Sequence, residues 1–392
     1  MRFTDRFLAI CLMFMILLTG TAALAQMTVK AHPDMPTGDF PDIPEMIQNT
    51  SACVLNDDTL IAGGWQFSKN VRLFKSTNGG RTWGSWLVYT HVDPAIDIHG
   101  MHLVTLPATN QVGLATMVFD PALPGQGIYF TTIEADGATL GNTVLVSRTQ
   151  DTNCGFPQLF VDPEGRIHCT YSNSRSLGGE NELAVIYSRS LDGGATFGRH
   201  TVIASYTVER TQANEYMYFR RNLADIAGSH IPAKSQNLLV VAYASLEGGS
   251  VTSNLRARFS TDNGTTWTGP AILVSSTASE YGPRVAVDAS GLFHFVYENN
   301  GFLTYAQTTS ATFLTLSNTF NVAQITSRPG WSSDFLPLEM DLRKSPADRL
   351  PVITWLGMLP DHPTIAAHVS CTAAYFWSRV PATMAPILEL LL

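Results

Sequence analysis

A short strand–turn–strand pattern recurs along the chain at nearly even spacing, and this repeat limits the fold more than any other feature. Two copies match closely, PQLFVDPEGRIHCTYS (157–172) and PRVAVDASGLFHFVYEN (283–299). Four weaker copies begin at residues 52, 102, 225 and 338. The Asp-x-x-Gly tetrads suit hairpin turns, because Asp bonds its own backbone and Gly accepts positive φ. Near-constant spacing of one supersecondary unit indicates a repeat architecture.

A second pattern, a turn box, follows three of these hairpins: STNGGRTW (76–83), SLDGGATF (190–197) and STDNGTTW (260–267). Its Ser and Asp or Asn can bond backbone N–H groups across the turn, and its glycines supply conformations closed to other residues. We expect the aromatic residue to fold back as an apolar plug beside a neighbouring strand. Turn building explains every residue type, so the box has a structural role. The residues are Ser76, Asn78, Gly80, Trp83, Ser190, Asp192, Gly194, Phe197, Ser260, Asp262, Gly264 and Trp267.

Each repeat therefore contains a hairpin, a third strand, a turn and a fourth strand. Six such units around an axis predict an all-β fold, a six-bladed β-propeller of four-stranded antiparallel blades. A β-solenoid or paired β-sandwiches are the alternatives, but both usually have other repeat lengths or none. We assign residues 51–380 to the propeller and 26–50 to a leader segment that packs outside the ring or closes it. The hydrophobic tail, 381–392, is too short to span a bilayer.

The N-terminal segment, residues 1–25, has the form of a signal peptide. Arg2 and Arg6 precede a long apolar run, which ends in the small-x-small site Ala23-Leu-Ala25. We expect cleavage after Ala25 and a secreted or periplasmic protein with no stable membrane insertion. An uncleaved membrane anchor is the alternative, because the apolar run is long.

Charge and cysteine content narrow the partners and the chemistry. The net charge is -8 and no run of Lys or Arg is present, so we expect no nucleic-acid partner. Cleavage would leave four cysteines, for which disulfides and buried thiols are both open: Cys53, Cys154, Cys169 and Cys371. We expect no cofactor and no metal, since the pair His99 and His102 has no evident third ligand.

The turn box resembles the Asp-box, or BNR repeat, of the sialidase superfamily, and the likeness spans roughly residues 52–377. The resemblance implies a six-bladed propeller with its boxes on the face opposite the active site. It also implies, for a true sialidase, three arginines that hold the substrate carboxylate, a Tyr nucleophile paired with a Glu, and an Asp acid/base. The usual Arg-Ile-Pro motif before the first box is absent, and Arg72 begins the third strand of its unit instead.

In a propeller, the loops that lead into the innermost strands line one end of the central channel, where ligands are expected. For a retaining sialidase, the resemblance implies Tyr281 as nucleophile, Glu215 or Glu280 as its base, and Asp93 or Asp97 as proton donor. Loop ion pairs, core packing and plain surface turns are the alternatives for such residues. The substrate-binding candidates on the same rim are Arg220, Arg221, Arg284, Asp151, Trp331 and Asp334.

Two functions fit these residues. One is an exported sialidase-like glycoside hydrolase acting on carbohydrate, as an exo-sialidase or a related enzyme. The other is a non-catalytic propeller that binds glycans or proteins. The missing Arg-Ile-Pro motif favours binding, and the density of ionisable groups on the rim favours hydrolysis. A glycan or polysaccharide is the expected ligand in either case, and the sequence does not indicate an oligomeric state.

Overall fold

The computed structural model of the chain consists of β-strands joined by turns. It describes residues 28–31, 38–39, 47–66, 70–78, 82–91, 97–119, 126–151, 153–177, 180–209, 224–231, 236–245, 253–274, 280–287, 292–299, 302–309, 321–324, 338–342, 351–355, 370–371 and 374–377. Within these ranges every regular element is a strand, and none is a helix of the length and hydropathy that a membrane crossing needs. The chain forms two compact units, Met1–Lys30 with Phe376–Leu392, and Ala31–Tyr375.

The strands occur in groups of four along the chain. Two short strands come first, β1 (Thr28–Ala31) and β2 (Gly38–Asp39). The first and second groups are β3 (Ile47–Val54), β4 (Leu60–Gln66), β5 (Asn70–Ser76) and β6 (Gly84–Thr90), then β7 (Asp97–Leu106), β8 (Gln111–Phe119), β9 (Gln126–Ile133) and β10 (Val144–Leu145). The third and fourth are β11 (Cys154–Val161), β12 (Ile167–Leu177), β13 (Glu180–Ser190) and β14 (Gly198–Glu209), then β15 (Ala224–Ile231), β16 (Gln236–Ser245), β17 (Asn254–Ser260) and β18 (Ala271–Val274). The last strands are β19 (Glu280–Val287), β20 (Leu292–Asn299), β21 (Phe302–Thr309), β22 (Asn321–Gln324), β23 (Leu338–Leu342), β24 (Pro351–Trp355), β25 (Ser370–Cys371) and β26 (Ala374–Trp377).

The sheets form a closed ring within the larger unit. Each of the first five groups is a four-stranded antiparallel sheet in chain order, and β23, β24 and β26 belong to the sixth. The first strand of each sheet contacts the first strand of the next, from β3 through β7, β11, β15 and β19 to β23, and β23 contacts β3. The six-bladed β-propeller is therefore confirmed. We call the sheets blades 1 to 6, and their first strands the innermost strands.

Apolar side chains fill the space between neighbouring blades. Ile128 and Phe130 of blade 2 pack in one cluster with Tyr171 and Ile186 of blade 3. A second cluster joins blades 3, 4 and 5, and a third joins blades 1 and 2. Burial of each large apolar side chain stabilises the fold by roughly 1.5–3 kcal/mol, so the ring is held together mainly by contacts between blades.

The turn boxes build turns as predicted. In blade 3, Ser190 Oγ donates to Asp192 Oδ1 over 2.7 Å and accepts the N–H of Gly194 over 2.8 Å. The same Asp192 Oδ1 accepts the N–H of Thr196. The box of blade 4 repeats every one of these bonds with Ser260, Asp262, Gly264 and Thr266. The threonine is a further member of the box that the sequence pattern had left unspecified.

The boxes also lock blades to one another. Phe197 packs on Phe130 of blade 2 with ring centroids 5.4 Å apart, and Trp267 packs edge-on against Tyr187 of blade 3 at 5.0 Å. The plug role predicted for these two aromatic residues is therefore confirmed. Gly264 has φ +77° and lies so close to Tyr187 that a Cβ there would overlap the phenol. Gly80 lies outside the described residues.

Replacement of Asp192 by Asn is expected to flatten the acid limb of the stability curve. Hydrogen bonds from the side chains of Thr196 and Ser190 lower the pKa of Asp192 to about 2. A carboxylate with a depressed native pKa stabilises the fold above its unfolded value, near 4, and this contribution disappears as the pH falls towards 2. Urea midpoints of both proteins measured from pH 6 to pH 2 test this, with Asp58→Asn, on the exposed first turn of blade 1, as the control. Parallel curves for wild type and Asp192→Asn would contradict the prediction.

Candidate functional site on the upper face

The innermost strands all run from one face of the ring to the other. We call the face where they begin the upper face, and the opposite one the box face. The box follows the third strand of a blade, so it lies at the same end as the first hairpin turn. A contact confirms this placement: Arg166, in the first turn of blade 3, donates to Asn263 Oδ1 in the box of blade 4 over 3.0 Å. Of the residues predicted to bind a ligand, Asp97, Asp151 and Glu280 are described and lie towards the upper face.

Several residues assigned to loops of the upper face belong to strands. Asp97 begins β7, and Glu280 and Tyr281 begin β19, so their placement in loops was wrong. The cause is a β-bulge in each strand, which adds a residue and breaks the alternation of apolar and polar side chains. Four innermost strands have such a shift, between Gln48 and Thr50, Ile98 and Gly100, Gly155 and Gln158, and Tyr281 and Arg284.

Blades 3 and 5 share one form of this bulge. Phe156 and Gly282 have φ values of 50° and 56°, and each precedes a proline. A left-handed φ at a residue such as Phe156 costs about 1 kcal/mol or more, and such strain is concentrated at functional sites. Facing the two bulges are the tyrosines of the two matching hairpins, Tyr171 and Tyr297, each 1% exposed. Their equal spacing was visible in the sequence, but their part in the site was missed.

In blade 3 the tyrosine belongs to a hydrogen-bonded group at the upper face. Tyr171 donates its hydroxyl to Asp151 Oδ2 over 2.8 Å. Arg148 donates Nε to Asp151 Oδ1 over 2.9 Å and Nη2 to the same oxygen over 2.6 Å. The Asp151 side chain is 2% exposed and that of Arg148 is 31% exposed. Asp151 was predicted to bind substrate, but the structure places it beneath Arg148, which is the outward-facing member of the group.

In blade 5 the carboxylate is Glu280. It is fully buried at the start of β19, and its backbone N–H donates to the carbonyl of Ser253 over 2.9 Å. Ser253 Oγ donates in turn to the Glu280 carbonyl over 2.5 Å. Burial, together with the charge of Glu280, raises the pKa of Tyr297 to about 12. Blades 3 and 5 thus each place a buried carboxylate beside a buried tyrosine behind a bulge.

Arg284, a candidate for the carboxylate clamp, lies in the same bulge. It is 2% exposed, and its Nη1 donates to the carbonyl of Pro283 over 3.0 Å. A guanidinium in this position supports the backbone of the bulge. Direct contact with a substrate would require it to become accessible.

Side-chain hydrogen bonds also connect the innermost strands of neighbouring blades, which do not pair with each other in a sheet. Ser51 Oγ accepts the N–H of Leu103 over 2.9 Å, and His102 Nδ1 accepts the N–H of Leu159 over 3.2 Å. Asp225 Oδ2 accepts the N–H of Val285 over 2.7 Å. Each bond satisfies a buried backbone donor that faces the next blade. His102 is therefore a structural acceptor, and the part of the chain that the structure describes contains no group of three or more His, Cys, Asp or Glu able to hold a metal.

The remaining candidates divide into three sets. Asp97 and His99 lie half-buried on β7, where burial lowers the pKa of His99 although the charge of Asp97 opposes this shift. Cys154 and Cys169 are separate buried thiols, and burial raises the pKa of both. Outside the described residues lie Asp93, Glu215, Arg220, Arg221, Trp331, Asp334 and the side chain of Tyr281.

Comparison with solved structures finds carbohydrate-active propellers. The α-L-arabinanase of Penicillium chrysogenum, solved with arabinobiose, is 15% identical, with a TM-score of 0.58 over 89% of this chain and 98% of that one. The GH93 α-L-arabinofuranosidase of Fusarium graminearum, also solved with arabinobiose, is 14% identical, with a TM-score of 0.60 over 90% and 98%. The Hadza microbial sialidase Hz136 is 12% identical, with a TM-score of 0.54 over 84% of this chain and 65% of that one.

These likenesses establish the class of fold. No protein-family profile and no curated protein sequence matches the chain. The chain has a β-propeller fold of the sialidase-like type. At such identities the fold alone is shared, and the function has to be argued from the site.

Proposed function

We propose that this protein is an exported glycoside hydrolase whose sugar-binding site lies on the upper face of the propeller. The observation that carries the proposal is an arrangement shared by blades 3 and 5, in which a bulge with a left-handed residue faces a buried tyrosine and a buried carboxylate lies beside that tyrosine. Glycoside hydrolysis depends on carboxyl groups placed around the glycosidic oxygen. The fold likeness to two enzymes solved with arabinobiose supports the same class of ligand.

Within this site, Glu280 and Asp97 are the best placed carboxylates. Asp151 is bound by Arg148 and Tyr171, and Asp225 is bound by backbone N–H groups of β15 and β19. Glu280 and Asp97 begin innermost strands of blades 5 and 2, so both lie at the upper face. Glu280 is fully buried and, like Arg284, would have to become accessible to a substrate. It would then act as nucleophile or base, and Asp97 as proton donor. In the sialidase form of the proposal, Tyr281 would be the nucleophile and Glu280 its base.

Export is the second part of the proposal. Its support is the basic and apolar N-terminal segment that ends at Ala25. A polysaccharide is too large to enter a cell, so a hydrolase for it has to act outside. The N-terminal sequence of the secreted protein tests this step, and an N-terminus at Gln26 is the expected result.

A non-catalytic glycan-binding propeller is the second candidate. The observation that favours it is the burial of two predicted substrate contacts, Asp151 and Arg284. A binding site needs no reactive carboxylate, and the same upper face would serve it.

Hydrolysis of a panel of glycosides by the purified mature protein separates the two functions. The panel contains aryl α-L-arabinofuranoside, other neutral aryl glycosides, arabinobiose and a fluorogenic sialoside. Turnover of at least one of them is expected. Absence of turnover on the whole panel, with the protein shown to be folded, would reject hydrolysis, and binding on a glycan array would then support the second candidate.

A further inference from the structure

Among the described residues, the strand pairing of blade 3 continues further beyond the start of its innermost strand than that of the other blades. The innermost strand β11 begins at Cys154, which is opposite Asn173 of β12. Strands β12 and β13 continue to pair beyond this point for four more positions, up to Leu177 opposite Glu180. Strand β14 follows them to Glu209. Four strand residues span about 13 Å.

In blades 1, 2 and 5 the described strand pairing ends level with the start of the innermost strand. Asp97 is opposite Phe119, the last residue of β8, and Glu280 is opposite Asn299, the last residue of β20. In blade 4 the hairpin continues two residues further, to Ser245. We call residues 174–177, 180–183 and 206–209 the blade 3 extension. It stands as a three-stranded wall at one side of the upper face.

One face of this wall carries charged and hydroxyl groups above the blade 3 site. Arg175 is opposite Glu182, with which it forms an ion pair, and Glu182 is opposite Thr207. Ser205 Oγ donates to Glu182 Oε1 over 2.6 Å. The Arg175 side chain is 61% exposed, so this ion pair is open to the solvent and to a ligand.

Arg148 lies at the foot of the wall. The carbonyl of Asn153 accepts the N–H of Ser174 over 3.3 Å, which connects Asn153, shortly after Arg148 and Asp151, to the base of the extension. Asp151 accepts hydrogen bonds from Nε and Nη2 of Arg148, which lie on one edge of the guanidinium. Nη1 takes no part in these bonds. A guanidinium held along one edge is pre-organised to donate from the other.

The charged groups of this surface disfavour an anion. Arg148 is paired with Asp151 and Arg175 with Glu182, so these four groups sum to zero. Glu180 and Glu209, opposite one another at the end of the extension, add two negative charges, so the six groups sum to -2. An anionic sugar would be attracted by the two arginines but repelled by the larger number of carboxylates. A neutral sugar offers hydroxyl groups that can donate to carboxylate oxygens and accept from guanidinium N–H groups at once.

We propose that the blade 3 extension, with Arg148 at its foot and the Arg175–Glu182 pair above, is a subsite that binds further units of a neutral oligosaccharide chain. Asp151 and Tyr171 act as positioning residues for Arg148. The inference rests on the proposed function only in placing the sugar site on the upper face. It adds that the protein distinguishes long chains from short ones and neutral chains from anionic ones.

Chain-length dependence of binding tests the subsite. Calorimetry with neutral arabino-, xylo- and galacto-oligosaccharides of two and of six units, and with sialyllactose, uses the full mature protein. If wild type hydrolyses a sugar, its affinity is measured on the Glu280→Gln protein. One neutral hexasaccharide is expected to bind at least about tenfold more tightly than its disaccharide, as one or two charge-assisted hydrogen bonds would provide.

Variants of the blade 3 extension and of Arg148 test whether this surface causes the preference for the longer chain. Arg175→Ala changes an exposed residue and should leave the fold intact. Arg148→Gln combined with Asp151→Asn removes both charges of the buried pair, so that neither is left unpaired. Each is expected to remove most of the preference for the longer chain. Arg199→Ala is the matched control, since Arg199 is an exposed arginine of the same blade that donates to Thr265 in a box.

Four results would overturn the inference. The first two are equal affinity for long and short chains, and a preference for long chains that survives both sets of substitutions. The other two are tighter binding of sialyllactose than of every neutral sugar, and absence of binding by any neutral sugar. Failure of the proposed hydrolysis gives a different result. In that case the protein would still bind the long chain through the blade 3 extension, but it would hydrolyse no glycoside of the panel.

Discussion

Replacement of Asp162 by Ala is expected to destabilise the propeller by about 3 kcal/mol or more. Asp162 lies in the first turn of blade 3, on the box face, and is 2% exposed. Its Oδ1 accepts the N–H groups of Glu164 and Arg166, both over 3.0 Å. Its Oδ2 accepts Arg166 Nε over 2.5 Å and His168 Nε2 over 3.0 Å. Burial raises the pKa of Asp162, but the bonds from His168 and Arg166 outweigh it and hold the pKa below its usual value.

The cost is high because the carboxylate organises a buried chain of groups. With Nε2–H donated to Asp162, His168 Nδ1 accepts the hydroxyl of Tyr187 over 2.8 Å. Burial also lowers the pKa of His168, although Asp162 opposes this shift. Loss of Asp162 leaves a buried imidazole N–H and two backbone N–H groups without their acceptor. Each such group costs about 1–3 kcal/mol.

Urea unfolding followed by tryptophan fluorescence measures this loss, and Glu164→Ala is the matched control. Glu164 is in the same turn, but its side chain is 50% exposed. An exposed ion pair contributes at most about 1 kcal/mol, so the control should unfold near wild type. A similar midpoint for both variants would show that Asp162 is merely a turn residue.

The Asp-x-x-Gly turn that contains Asp162 was predictable from sequence, and so was the propeller. The residue types in a turn depend on the local backbone conformation. Their even spacing is therefore visible in a single sequence. The network around His168 was not predictable, because its partners come from three separate stretches of the chain. His168 hydrogen-bonds through both ring nitrogens, so it does more than fill space in the core.

The site was predictable only in its approximate position. Asp151 and Glu280 were correctly placed on the upper face, since each innermost strand begins there. Their surroundings depend on bulges at Phe156 and Gly282, and a bulge disturbs the alternation by which strands are recognised. No role for Arg148 was evident from its place in the sequence. Its outward position follows from its bonds to Asp151, which sequence spacing alone does not reveal.

Replacement of Glu280 by Gln is expected to lower kcat at least about 100-fold on any glycoside that the protein hydrolyses. Loss of one general acid or base typically costs 10²–10⁴-fold. Glutamine keeps the shape of the buried side chain, so the unfolding midpoint should change little. Glu164→Gln makes the same chemical change on the box face and should leave kcat within about twofold. Unchanged turnover in Glu280→Gln would remove this residue from the reacting centre.

Tyr281→Phe then separates the two forms of catalysis that the upper face permits. If Tyr281 is the nucleophile, as in the sialidase form, phenylalanine removes the attacking oxygen and turnover falls as far as in Glu280→Gln. If a carboxylate is the nucleophile, loss of the phenol should change kcat less than about tenfold. The excess of carboxylates on the blade 3 extension disfavours an anionic substrate. On a neutral sugar, a carboxylate nucleophile meets no like charge. We therefore expect Tyr281→Phe to remain active. Inactivation by both substitutions, with turnover of the sialoside alone, would establish sialidase chemistry instead.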